Sequence, residues 1–288
     1  MATTEDRLEP FGYCLNTSTI REQEIGLREE FELAAELGYD GIEPWVSEMD
    51  AYVEEGGSLA ELGRKADELG LSVENAIGFF DWVVEDEARR REGLEQARRC
   101  MAMARQVGCK RLAAPPSGAT EATDVRPEAA AERYAELLEI GEEYGVVPMV
   151  EFWGVSATLG RLGEAVHVAL QSGHRDACVL ADVFHMYKGG SPYAGLRLVG
   201  PRTLGLFHVN DFPESPPREQ ITDADRVFPG EGVAPLGRIL RDLYAAGWRG
   251  MLSLELFNEE YWKMDAEEVL RAGLASMRSA VRQALSEI

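Results

Sequence analysis

The chain is short of cations: 29 Lys and Arg stand against 51 Asp and Glu in 288 residues, a net charge of −22. A protein that grips a phosphate backbone needs clustered basic side chains to displace counterions, so the charge argues against nucleic acid as a partner. Cysteine is scarce as well. Its four residues (Cys14, Cys100, Cys109, Cys178) form no CxxC pair, and a chain this long needs no disulfide staples. Reduced, mostly buried thiols are expected. No apolar run approaches membrane-spanning length, and the opening MATTEDRLEP is too polar and acidic for a secretory signal. A glycine-rich GxGxxG loop is also missing, which argues against a nucleotide cofactor. The expectation is a soluble cytoplasmic protein with no membrane or nucleic-acid partner; a homo-oligomer is left open.

What is present is a core. Hydrophobic residues make up 45% of the chain, enough to bury a substantial interior. They gather into eight short runs: FGYCLNT from Phe11, YDGIEPW from Tyr39, LSVENAI from Leu71, CKRLAAP from Cys109, VVPMVEF from Val146, CVLADVF from Cys178, LGLFHVN from Leu204 and MLSLELF from Met251. Nearly continuous apolar character suits parallel strands covered on both faces. Amphipathic helical stretches lie between them, several ending in Gly (Gly38, Gly70, Gly108, Gly145, Gly247) just before the next strand. Eight strand–helix alternations without a Ser/Gly linker predict an α/β fold, a single (β/α)8 TIM barrel over residues 1–288. The long connection from Phe212 to Val233 reads as a lid-like loop after strand seven.

The polar residues of these runs sit at their C-terminal ends: Asn16, Glu43, Asn75, Glu151, Asp182, His208 and Glu255. That end of a barrel carries the active site. Glu151, Asp182, His208 and Glu255 fall on four consecutive strands and would converge at the mouth. Three partly desolvated carboxylates repel one another unless a cation sits among them. Three oxygens and one nitrogen suit one divalent ion, Mn²⁺, Co²⁺, Mg²⁺, Fe²⁺ or Zn²⁺. Trp45, Phe79, Phe80 and Trp82 are candidates to wall a sugar-ring pocket, with core packing as the stronger alternative. Lys188 reads as an exposed lysine, and His167 and His174 as surface or structural residues.

At these residues the chain resembles the xylose-isomerase-like barrels, the sugar-phosphate isomerase/epimerase superfamily, and within it most of all the inosose (2-keto-myo-inositol) isomerases. The stretches that carry the likeness are TDADRVFPGEG (Thr222 to Gly232) with SLELFNEEYWKMDAEE (Ser253 to Glu268), and GYDGIE, NAIGFF, DVFH and HVND. The resemblance implies that Glu151, Asp182, His208 and Glu255 bind the metal and that Glu151 and Glu255 are the acid/base pair. It gives His185 and Arg226 contacts to substrate, and Glu43 and Asn75 places near substrate or behind the metal shell. It implies a small polyol or keto-sugar substrate whose carbonyl moves by proton transfer through an enediolate, without a redox cofactor. Related chemistries are those of ketose 3-epimerases, hydroxypyruvate-type isomerases and dehydroshikimate-type dehydratases. The epimerases usually carry Pro and Asn after the strand-five glutamate, where this chain has Phe152 and Trp153. The inosose isomerases tend to have His and Pro where Val155 and Ser156 stand. The barrel apurinic endonucleases need several more histidines than the four present here.

Overall fold

The computed structural model describes residues 9–286; the expectation for the acidic N-terminus falls almost entirely outside that range. Its eight strands are β1 (Gly12–Asn16), β2 (Gly41–Glu43), β3 (Ser72–Val73), β4 (Arg111–Ala114), β5 (Val147–Glu151), β6 (Val179–Asp182), β7 (Leu204–Val209) and β8 (Met251–Leu254). Each lies inside one of the eight apolar runs. All pairings are parallel, in the order β3-β2-β1-β8-β7-β6-β5-β4. Just beyond β3, Ala76 closes the circle onto β4: its N–H donates to Arg111 O (3.2 Å) and its carbonyl accepts from Ala113 N–H (3.0 Å). The chain is a (β/α)8 barrel.

The helices are α1 (Leu27–Leu37), α2 (Val46–Glu54), α3 (Leu59–Leu69), α4 (Glu87–Gln106), α5 (Pro127–Tyr144), α6 (Leu162–Gln171), α7 (Val183–Lys188), α8 (Leu236–Ala245), α9 (Glu259–Trp262) and α10 (Ala266–Ser286). Pro127 opens α5, where its missing N–H costs nothing. Gly145 closes the same helix at φ 67°, a left-handed turn that a side chain would strain. Asp265 caps α10 by accepting the Glu268 N–H (3.2 Å). Among the described residues no helix is long and apolar enough to cross a membrane.

Strand periodicity builds two apolar layers. Leu15, Ile42, Val150, Ala181, Phe207 and Leu254 pack beneath the helices. Met149, Leu180 and Leu206, each one residue away on the same strands, join Trp45 and Ile77 in a smaller cluster. The positions in step with this second set at the C-terminal ends are Asn16, Glu43, Glu151, Asp182, His208 and Glu255. The alternation that fills the barrel with apolar side chains therefore turns its last layer polar.

The four cysteines are free and buried. Burial pushes the thiols of Cys100 and Cys178 up to about 11 and that of Cys109 up to about 12, while Cys14 rises well above its ordinary value, mainly through burial. Only a thiolate attacks a disulfide reagent. Native protein at pH 8 is expected to leave a colorimetric disulfide reagent unreacted over minutes, with the four thiols titrating once it is denatured. A thiol reacting rapidly in the native state would contradict this packing.

Candidate active site

Parallel register sets the first contacts. Asp182 lies opposite His208, His208 opposite Ser253, and Asn16 opposite Glu43. Glu255 follows β8 directly. Ligand atoms of Asp182, His208 and Glu255 all lie within 4.8 Å of one another, and the three residues are buried. Glu151 is not part of that close group. It faces a cavity of about 290 Å³ that Glu255, His185, Asp223 and Arg226 also line.

The imidazole of His208 is the informative group. Its Nε2 lies 3.1 and 3.2 Å from the two oxygens of Glu43. A carboxylate there holds the ring proton on Nε2 and turns the Nδ1 lone pair inward, an arrangement common behind metal-bound histidines. Nδ1 is buried and makes no hydrogen bond among the described residues, although Glu255 Oε2 lies 3.0 Å away and Asp182 Oδ2 3.8 Å away. Close acceptors that are misdirected for hydrogen bonding are what a common cation requires. The donor set fits a divalent metal. In the absence of one the ring itself carries charge: burial opposes this, but Glu255 and Glu43 outweigh it and raise the His208 pKa well above its ordinary value.

The other carboxylates are held unequally. Glu43 accepts from Asn75 Nδ2 (2.8 Å), Asn16 Nδ2 (3.5 Å) and the Ser253 hydroxyl as well as facing His208. Asp182 accepts from His185 N–H (2.7 Å), Asn210 Nδ2 (2.9 Å) and Arg226 Nη1 (3.0 Å). Glu255 accepts from Asn16 Nδ2 (3.1 Å) and Arg226 Nη1 (2.8 Å). Burial disfavours its ionisation, yet His208 and Arg226 outweigh that and hold it well below the usual carboxylate range. Glu151 has one side-chain donor among the described residues, Trp153 Nε1 at 3.1 Å. Burial, then the charge of Glu255, pushes its pKa up to about 8. Two glutamates facing one cavity thus differ in proton affinity, the usual setting for an acid/base pair.

Arg226 comes from the loop after β7 and is fully buried. Besides Asp182 and Glu255 it reaches Asp223 and donates from Nη2 to His185 Nε2 (3.3 Å). A guanidinium can only donate, so the His185 proton sits on Nδ1, which is buried without a partner among the described residues. Burial lowers the pKa of this ring, keeping it neutral. The loop, residues 212–233, carries structure of its own. Asp211 and Val227 pair as an antiparallel bridge, a 3₁₀ turn spans Asp223–Asp225, and Phe212 stacks on Tyr187 at 4.1 Å. Lys188 is not a free surface lysine: its Nζ donates to the carbonyls of Arg218, Glu219 and Ile221 (2.9, 3.1 and 2.7 Å).

Of the candidate aromatics, Trp45 and Phe79 line the cavity, whereas Phe80 and Trp82 are buried in the main core. Glu43 and Asn75 are fully buried, with Glu43 beside His208 and Asn75 bonded to Glu43, and neither is on the cavity wall. Trp153 and Phe257 complete the wall. Neither was singled out from sequence, because both lie past the strand ends. An aromatic two residues beyond a strand-terminal carboxylate is the signal that could have found them.

A family model described as xylose isomerase-like TIM barrel matches residues 31–280. An inosose isomerase from Bacillus velezensis is 30% identical over 276 residues, which cover 93% of this chain and 96% of that protein. A fructoselysine 3-epimerase from Escherichia coli O157:H7 is 25% identical over 260 residues, covering 83% of this chain and 88% of the epimerase. Among solved structures, that of the IOLI protein with a bound zinc atom superposes with a TM-score of 0.88 at 25% identity, covering 95% of this chain and 99% of that one.

Proposed function

The chain belongs to the xylose isomerase-like TIM barrel family, and on that footing we propose that it is a divalent-metal-dependent isomerase that moves a carbonyl along a polyol ring, with an inosose as substrate. The observation that carries this is the convergence of Asp182, His208 and Glu255 beside a cavity that Glu151 also faces. Likeness to inosose isomerases over nine-tenths of the chain supports the substrate.

Glu151, Asp182, His208 and Glu255 would hold the ion, which when bound polarises a carbonyl and acidifies the neighbouring C–H. The remaining work falls to side chains. Glu151 and Glu255 take and return the proton on adjacent ring carbons, passing through an enediolate. Glu255 is anchored by Asn16 and Arg226, and Glu151 by the indole of Trp153. His185, on the cavity wall, offers to a substrate oxygen its Nδ1–H, which has no partner among the described residues. Trp45, Phe79, Trp153 and Phe257 present apolar surface to the C–H face of a ring and keep water from the transferred proton.

The decisive experiment follows ring C–H exchange of inososes in D₂O by NMR. Exchange is expected with the metal-loaded protein, lost after chelation and restored by Mn²⁺, Co²⁺ or Zn²⁺. No exchange with any inosose would refute the isomerase reading. A product inverted at one carbon of an open-chain ketose, or one lacking the elements of water, would reassign the protein to the epimerases or the dehydratases.

A further inference from the structure

Glu151 stands out among the carboxylates of the site for how little holds it. Asp182, Glu255 and Glu43 each accept from at least two side-chain or backbone donors, whereas the Glu151 side chain has the indole N–H of Trp153 alone among the described residues. That indole is itself firmly mounted. The Trp153 backbone N–H donates to Leu159 O (3.0 Å) and its carbonyl accepts from Ser156 N–H (2.8 Å). The next residue, Gly154, lies against the end of α7. A Cβ there would stand 2.6 Å from both Gly189 N and His185 O, so only glycine lets the segment lie so close. On its open side the indole meets Phe79 edge to face at 5.5 Å and 86°.

We propose that Trp153 is the positioning residue for Glu151: its indole N–H fixes the carboxylate in the orientation that metal binding and proton transfer require. This rests on the isomerase reading for its catalytic half but not for its metal-binding half. Wall aromatics are ordinarily credited with apolar contact alone, and that role predicts a different outcome. Trp153→Phe keeps a ring against Phe79 and removes only the donor.

The test is a double-mutant cycle with Glu151→Gln, read first by calorimetric titration of metal-free protein with Mn²⁺, which needs no substrate. Trp153→Phe is expected to weaken Mn²⁺ binding by about 10–100-fold, the usual cost of losing an outer partner of a metal ligand. In the Glu151→Gln background the same change should add less than about twofold, because residues acting through one another are not additive. With substrate, kcat should fall while KM stays within about threefold of wild type. Unchanged Mn²⁺ affinity in Trp153→Phe, additive effects in the cycle, or a change confined to KM would overturn the proposal and leave Trp153 a wall residue. A wild-type protein that binds Mn²⁺ but exchanges no inosose proton would refute the isomerase reading while the metal cycle still decides the role of Trp153.

Discussion

Glu151→Gln is expected to slow ring C–H exchange by a factor of about 10²–10⁴, the range lost with a general acid/base, while the metal-free protein becomes no less stable. The two effects have one origin. The carboxylate is buried beside Glu255, and both burial and that charge raise its pKa to about 8. A carboxyl whose folded pKa lies above its unfolded value contributes stability that is fully present below the unfolded value and is lost as pH rises through the folded one. Wild-type, metal-free protein should therefore lose stability relative to Glu151→Gln as pH climbs from about 4.5 to about 8, between the ordinary and the raised value. Thermal melts of the two proteins across that range, paired with exchange rates in D₂O, check both halves. A variant that exchanges at more than a tenth of the wild-type rate would remove Glu151 from the acid/base pair.

Arg226→Ala should carry the largest stability cost. Its guanidinium is fully buried and bridges Asp182 (3.0 Å) and Glu255 (2.8 Å). Deleting it leaves buried carboxylates facing one another, and breaking a buried pair from one side costs about 3–5 kcal/mol. Arg226→Lys should recover only part of this, because an ammonium is a point charge and cannot fork toward Asp182, Glu255, Asp223 and His185 together. Urea unfolding of the three proteins without metal measures the difference. A loss under about 1 kcal/mol, the scale of a surface ion pair, would mean that the bridge is not the mainstay of the metal-free site.

Much of this site could be read from the chain because a barrel converts strand order into geometry. A polar side chain at the end of an apolar run is carried to the mouth of the barrel; Asp182, His208 and Glu255 meet there, and Glu151 faces the adjoining cavity. The register between β6 and β7 then set Asp182 beside His208. Contacts that depend on the path of a loop were less accessible. Lys188 looked exposed because the carbonyls it binds lie thirty or more residues downstream, in a segment whose return over α7 no periodicity announces. Trp153 drew no attention as a ligand holder because the bond that distinguishes it is made by one atom of its ring, to Glu151. Ser253 was silent: a small polar residue within a buried strand reveals itself only through its partner, Glu43.

Glu43 has a mechanical meaning as well. Its carboxylate gathers Asn16 at the end of β1, Asn75 beyond β3, His208 of β7 and Ser253 of β8. Donors from four staves of the barrel meet on one group, as spokes meet on a hub. At this level the barrel is crossed by hydrogen bonds to one carboxylate as well as by packed side chains. Removing any one spoke would leave a buried carboxylate oxygen short of a donor, so the four strand ends are tied together through the satisfaction of one group.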